Sequence, residues 1–358
     1  VSSFLLNSSG SSLFLHVFQI LLPLRLSPKE TDMIIAITGA NGHVGVNLCK
    51  ELIDLGHEVR ALVHKNTKGL EKLDVKIFKG DLLNKASLIP FLEGAEIVFH
   101  LAAKISITGD SHGSVRAINT EGTRFMIELS KELGIRRFIH FSSIHAFRQE
   151  PHDQVLDETR PLVEEKAFAY DRSKADGERI VMNAAKDGLD AFVLSPTAIV
   201  GPMDYEPSLM GKALLQLYHH QIPALVPGGY NWVDVRDIVQ AAVQSIEKGR
   251  KGEKYLLAGH WHSLPEVARF IEKHTGKKVV RTVMPFWLAW IGLPFITLYS
   301  RISRRTPLYT FESLAIIIKG SKQISHEKAS RELGFRPRSM DETVQDIMNW
   351  FDMNGYLN

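Results

Sequence analysis

The chain has 358 residues, room for one large domain or two smaller ones, and its 44% hydrophobic and 23% charged content lies near the globular average. That composition excludes a wholly disordered chain, a collagen-like fibre and a polytopic membrane protein. The 43 basic and 40 acidic residues leave a net charge of +3, too small for a nucleic-acid footprint, and the single cysteine, Cys49, excludes an intrachain disulfide and a cysteine metal cage.

Residues 1–32 differ in character from the rest of the chain. The apolar run Leu13–Leu24 is interrupted by His16, Gln19 and Pro23, has no positive charge ahead of it, and is short for a membrane span. The expectation is an N-terminal extension outside the fold, with Met33 as the natural start; the rival reading is a weak membrane anchor. From Met33 onward strands and helices alternate. Strands are expected at Ile34–Thr38, Glu58–Val63, Val75–Lys79, Glu96–Leu101, Arg137–Ser142 and Asp190–Leu194. Helices are expected at Val44–Leu55, Lys85–Leu92, Ser114–Leu133 and Tyr170–Asp187, three of them stopped by Gly56, Gly134 and Gly188. Such alternation implies an α/β fold with helices on both faces of a parallel sheet. After Leu194 prolines punctuate the chain, and helices are expected near Leu209–His219, Arg236–Lys248, Ser263–Thr275 and Asp341–Phe351. The expected layout is a dinucleotide-binding domain over 33–194 and a smaller, mostly helical substrate lobe over 195–358, parts of which, near 231–258, return to the sheet.

The first strand runs into Thr38-Gly39-Ala40-Asn41-Gly42-His43-Val44-Gly45 and then a helix. Glycines at this spacing permit a tight turn (Gly39), close backbone approach to a pyrophosphate (Gly42) and close helix–strand packing (Gly45). The helix N-terminus adds free N–H groups for the phosphates. At the end of the second strand no acid occupies the ribose position near Val63 or His64; Arg60, His64 and Lys65 offer positive charge instead, which suits a 2′-phosphate and so NADP over NAD.

This loop resembles the TGxxGxxG loop of the extended short-chain dehydrogenase/reductase superfamily. The resemblance implies a Rossmann-type doubly wound sheet, and it extends to Gly80-Asp81-Leu82, where the acid would accept from the adenine amino group. His100-Leu101-Ala102-Ala103 is similar to the segment that passes beside the cofactor; His100 reads as packed. Ser142-Ser143 and Tyr170-Asp171-Arg172-Ser173-Lys174 follow in the superfamily's order. Spacing i,i+4 puts Tyr170 and Lys174 on one helix face. A nearby ammonium, together with the cofactor's positive nicotinamide ring, is expected to lower the phenol's pKa and let it exchange a proton with a substrate oxygen, with Ser143 orienting that oxygen. Asn119, in an N-x-x-GT pattern, reads either as support for that hydrogen-bond network, together with Ser142, or as an ordinary helix residue. Pro196 to Ile199 would pass the nicotinamide, and Trp232–Asp237 reads as structural. The acids of Gln149–Glu165 are expected to form a solvated loop or flap over the site. His219-His220 and His260-x-His262 lack accompanying carboxylates, so no metal site is expected, and Cys49 reads as packed.

Within the superfamily the resemblance is to dihydroflavonol-4-reductase-like proteins and the NAD-dependent epimerase/dehydratase group. It implies an NADP-dependent oxidoreductase that reduces a ketone to an alcohol or the reverse. The alternatives are a sugar-nucleotide epimerase or dehydratase, and a non-catalytic NADP-binding redox sensor. The uncharged run Thr282–Ser300, flanked by Arg281 and Arg301, reads as a lid over an apolar small-molecule substrate or as a peripheral membrane contact. The expected protein is cytoplasmic or membrane-associated, and a homodimer is compatible with it.

Overall fold

The computed structural model describes residues 33–279, 282–292 and 310–358. The expectations for residues 1–32, and for the part of Thr282–Ser300 beyond residue 292, lie outside the described residues. The strands are β1 (Ile34–Thr38), β2 (Glu58–Val63), β3 (Lys76–Lys79), β4 (Ile97–His100), β5 (Arg137–Phe141), β6 (Ala191–Pro196), β7 (Ala198–Val200), β8 (Gly229–Asp234), β9 (Lys254–Leu257) and β10 (His260–Ser263). Seven of them form one sheet in the order β3-β2-β1-β4-β5-β6-β9, and every pairing in it is parallel. The chain runs outward from β1 to β3, then crosses back to β4. The C-terminal ends of β1 and β4 therefore open a crevice at the point where the order reverses, the position at which open α/β sheets take ligands.

Helices cover both faces because side chains alternate along each strand. They are α1 (His43–Asp54), α2 (Lys85–Leu92), α3 (Ser114–Arg116), α4 (Gly122–Glu132), α5 (Ala169–Lys186), α6 (Leu209–Tyr218), α7 (Val235–Lys248), α8 (Leu264–Thr275), α9 (286–292), α10 (Phe311–Lys319), α11 (Glu327–Leu333) and α12 (Met340–Met353). Ile35 and Ile37 of β1 pack with Leu48 and Leu52 of α1 and Ile238 of α7 on one face. Ala36, between them, joins Phe91 of α2, Met126 of α4 and Val181 of α5 on the other. Each large buried side chain contributes about 1.5–3 kcal/mol. Cys49 is also buried, in α1, and desolvation pushes its thiol up to about 12.

Two parts of the C-terminal half complete the Rossmann layer. One is α7 with β9, the latter adding the seventh strand. The other is α11, whose Ala329 and Leu333 join Phe335 in the same core as β1. β8 does not join the main sheet; it sits between β7 and β10 in a separate three-stranded sheet, packed with α6, α8, α10 and α12. The Asp234–Asp237 turn ties the two parts together. Arg236 bridges Asp234 and Asp346 of α12, and Arg338 donates to Asp237 at 2.8 Å. The acid-rich segment 149–165 is a largely exposed loop, one of the two forms expected of it, and not a flap over the site. Leu156 bridges to Ile324, Glu158 accepts from the Leu256 N–H, and Arg160 turns inward onto the Pro151, Gln154 and Val155 carbonyls. None of these residues lines the large cavity at the C-terminal edge of the sheet.

Candidate active site

That cavity has a volume of about 1010 Å³. At its centre the glycine loop crosses from β1 to α1. Gly39 takes φ +71°, and a Cβ there would lie 2.7 Å from the Ala102 backbone nitrogen. A Cβ on Gly45 would lie 2.2 Å from the Gly39 carbonyl oxygen, so glycine is required for α1 to approach β1 this closely. Gly42 is the N-cap of α1 and no side chain caps it, which leaves the helix's first N–H groups facing the cavity. Asn41, His43 and Val44 line the same wall. The Asn41 side chain accepts from the Gly69 N–H at 2.9 Å, and His43 Nε2 meets the Pro202 carbonyl at 3.0 Å.

One end of the cavity is bounded by His64, Lys65, Asp81 and Leu82. His64 Nε2 lies 3.8 Å from Asp81 Oδ2, so Asp81 offsets part of the positive charge expected there. Lys65 has no ion pair among the described residues. Arg60 is turned away; its guanidinium donates to Glu58 and to the Glu93 carbonyl, because it sits in the middle of β2 rather than at the C-terminal end where the cavity opens. Beneath the loop, His100 joins Thr38 Oγ1 at 2.7 Å and Thr123 Oγ1 at 3.0 Å, and burial pushes its imidazole down to about 3. It is a neutral packing residue. Leu101, Ala102 and Ala103 follow it along the cavity floor.

β5 delivers Ser142 and Ser143 at its C-terminal end, and the first turn of α5 delivers Tyr170 and, one turn later, Lys174. All four line the cavity, as do Pro196 and Ile199. Ser143 Oγ accepts from the His145 N–H at 3.2 Å and lies near the Tyr170 hydroxyl. Lys174 Nζ donates to the Phe141 carbonyl at 2.6 Å. The ammonium by itself does not depress the phenol. Burial pushes Tyr170 up to about 12, with the nearby Ser143 hydroxyl opposing, and desolvation pushes Lys174 down to about 8. Both groups lose water here, and that outweighs any mutual attraction.

Asn119 does not line the cavity. It sits behind the wall in a wide helical turn, Ala117–Glu121, that joins α3 to α4. Its amide accepts from the Lys104 N–H at 2.7 Å and donates to the Lys104 carbonyl at 3.0 Å and to Ser173 Oγ at 2.9 Å. Ser173 in turn donates to the Tyr170 carbonyl at 2.7 Å. Asn119 thus ties the start of α5 to the loop that follows β4.

Sequence reasoning missed several wall residues. Trp232, read as structural, lines the cavity, its indole N–H donating to the His262 carbonyl. With Met210, Leu217, Leu225, Leu264 and Ile317 it makes the far end apolar. His145 and Asp171 flank Tyr170: His145 Nδ1 lies 3.5 Å from Asp171 Oδ1, and its ring meets Tyr170 edge-on at 6.0 Å. Their places, two residues after Ser143 and one after Tyr170, were the available signal. Glu312 of α10 had none. Among the described residues no group of His, Cys, Asp and Glu is arranged for a metal, and His219 and His260 meet backbone carbonyls.

The model of the NAD dependent epimerase/dehydratase family matches residues 35–258. Sterol demethylase protein B of Methylococcus capsulatus is 32% identical over 329 residues, covering 91% of this chain and 100% of that protein. The mouse protein sterol-4-alpha-carboxylate 3-dehydrogenase, decarboxylating (Mus musculus), is 24% identical over 333 residues, covering 88% of this chain and 90% of its own length. Among solved structures, that of gox2253 superposes with a TM-score of 0.79 at 29% identity, covering 91% of this chain and 100% of the other.

Proposed function

We propose, from the premise that the chain belongs to the NAD dependent epimerase/dehydratase family, that it interconverts a ketone and an alcohol on an apolar small molecule with NADP as its redox partner. The chain is an NAD(P)-dependent oxidoreductase; the choice of NADP and the substrate are the proposal. One observation carries it: a single cavity joins the glycine loop, Ser143, Tyr170 and Lys174, and a wall of apolar side chains. The relatives whose names specify sterols favour a polycyclic apolar substrate over a bare sugar.

The residues present fit a dinucleotide. The uncapped N-terminus of α1 and the glycine cradle suit its pyrophosphate, Asp81 and Leu82 its adenine, and Lys65 with His64 a 2′-phosphate. When bound, the nicotinamide supplies or accepts the hydride. Ser143 and Tyr170 hold the substrate oxygen. Tyr170, whose phenol burial pushes up to about 12, is protonated at neutral pH; it donates to that oxygen in ketone reduction and takes the proton back in alcohol oxidation. Lys174, anchored on the Phe141 carbonyl, stabilises the phenolate left behind. The apolar wall excludes water from the reacting carbon.

The test is turnover by the full chain with NADPH and with NADH against a 3-ketosteroid, a flavanonol and UDP-sugars. Reduction of an apolar ketone with NADPH is the expected result. Turnover of UDP-sugars with cofactor retained through purification makes the protein an epimerase, and NADPH binding without any turnover makes it a sensor.

A further inference from the structure

The first turns of α5 and α10 meet in one part of the cavity wall. Phe168 and Phe311 meet edge-on at 6.5 Å, and Trp290 of α9 backs Phe311 at 5.0 Å. Each turn contributes a carboxyl group to the cavity wall, Asp171 directly after Tyr170 and Glu312 directly after Phe311. The Asp171 side chain is only 15% exposed, and its one ion-pair partner among the described residues, His145, is neutral near pH 7 because burial pushes it down to about 4. Burial also raises Glu312, with the Asp171 charge adding to the effect; the Gly109 N–H opposes. The cations on the cavity wall are engaged or placed on other elements. Lys174 is tied to Phe141, and Lys104 Nζ donates to Ser114 Oγ at 2.7 Å. Lys65 lies beyond β2 and Lys212 on α6.

We propose that Asp171 and Glu312 are specificity determinants that admit neutral ketones and turn away substrates carrying a carboxylate beside the reacting carbon. The inference rests on the ketone–alcohol reading of the site. Asp171 pairs with His145, whose ring meets that of Tyr170, and Glu312 feels the Asp171 charge, so both acids belong to the part of the wall nearest the tyrosine that would hold the substrate oxygen. A hydrogen-bond donor there is accepted by either carboxyl group. A carboxylate there meets two acids and no uncommitted cavity-wall cation on α5 or α10. The reaction that supplies this enzyme's substrate therefore leaves the adjacent carbon uncharged, in contrast to the carboxylate in the name of the mouse relative.

The experiment compares a neutral 3β-hydroxysteroid with its 4-carboxylate at pH 8, as Kd by calorimetry on the NADP⁺-loaded full chain and as kcat/KM for oxidation. A carboxylate about 6 Å from one ionised acid at a protein-like dielectric is weakened by about 100-fold, so the neutral steroid should bind at least that much tighter. Glu312→Gln, at a partly exposed position, should narrow the gap by about tenfold, and Asp171→Asn with Glu312→Gln should nearly close it. Equal binding of the two steroids by the unmodified protein overturns the proposal. So does a gap that neither substitution changes, or failure of both steroids to bind. Selective binding of the neutral steroid with no oxidation leaves this selectivity standing and counts against the ketone–alcohol reading instead.

Discussion

Asp171→Asn should stabilise the protein, and by more at pH 8 than at pH 5. Burial raises this carboxyl from the ordinary 3.8 to about 7, and its side chain is only 15% exposed. A group whose folded pKa lies above its unfolded one favours the folded state fully only below the unfolded value. That stability is lost as pH rises, and the loss is complete just above 7. At pH 8 the folded protein bears the whole cost of an ionised, poorly solvated carboxylate, about 4 kcal/mol at ~1.4 kcal/mol per pKa unit. At pH 5 the unfolded chain is already ionised while the folded group keeps its proton, and the cost is about 1.5 kcal/mol. Asparagine carries neither. The gain from the substitution should therefore be larger at pH 8 by ~3 kcal/mol, or about 5 °C in Tm for a domain of this size. Thermal unfolding of both proteins at the two pH values, followed by circular dichroism, reads it directly. An equal Tm shift at pH 5 and pH 8 would refute the reasoning.

Tyr170→Phe should lower kcat by ~10²- to 10⁴-fold while the Kd for NADPH stays within about twofold, since the ring still packs against His145 and only the proton donor is lost; near-normal turnover sinks the assigned acid. Gly45→Ala forces a Cβ to within 2.2 Å of the Gly39 carbonyl, so Tm should fall by several degrees and cofactor affinity by at least tenfold; a variant with unchanged Tm and affinity contradicts the described loop. Replacing His64 and Lys65 together with alanine should cut NADPH affinity by roughly tenfold and leave NADH unaffected, with the wild-type preference shrinking in salt; identical affinities for the two cofactors in the unmodified protein rule out the assigned 2′-phosphate site. Flotation of the full chain with anionic liposomes tests α9, where Trp287 and Ile291 are 63% and 59% exposed although no helix among the described residues is long and apolar enough to cross a membrane; recovery only in the soluble fraction at low salt excludes a surface contact there.

Much of the cofactor side was legible in the amino-acid order alone. Gly39, Gly42 and Gly45 lie within one turn of chain, Tyr170 and Lys174 within another, and local geometry ties each set to a strand end or a helix face. Period-2 and period-3.6 patterns placed most of the Rossmann elements within a residue or two, since one face of each had to be buried. Sequence could not decide what long-range packing decides. β8, which opens the stretch expected to return to the main sheet, pairs instead with β7 and β10 in a sheet of its own. The segment 149–165 is polar enough for a flap, and it is the bridge to Ile324 that holds it away. The i,i+4 spacing put Tyr170 and Lys174 on one face, but the burial that raises the phenol and lowers the ammonium is a property of the assembled cavity. Glu312 is 142 residues from Tyr170 in the sequence. Only the contact between the first turns of α5 and α10 brings its carboxyl group to the wall beside Asp171.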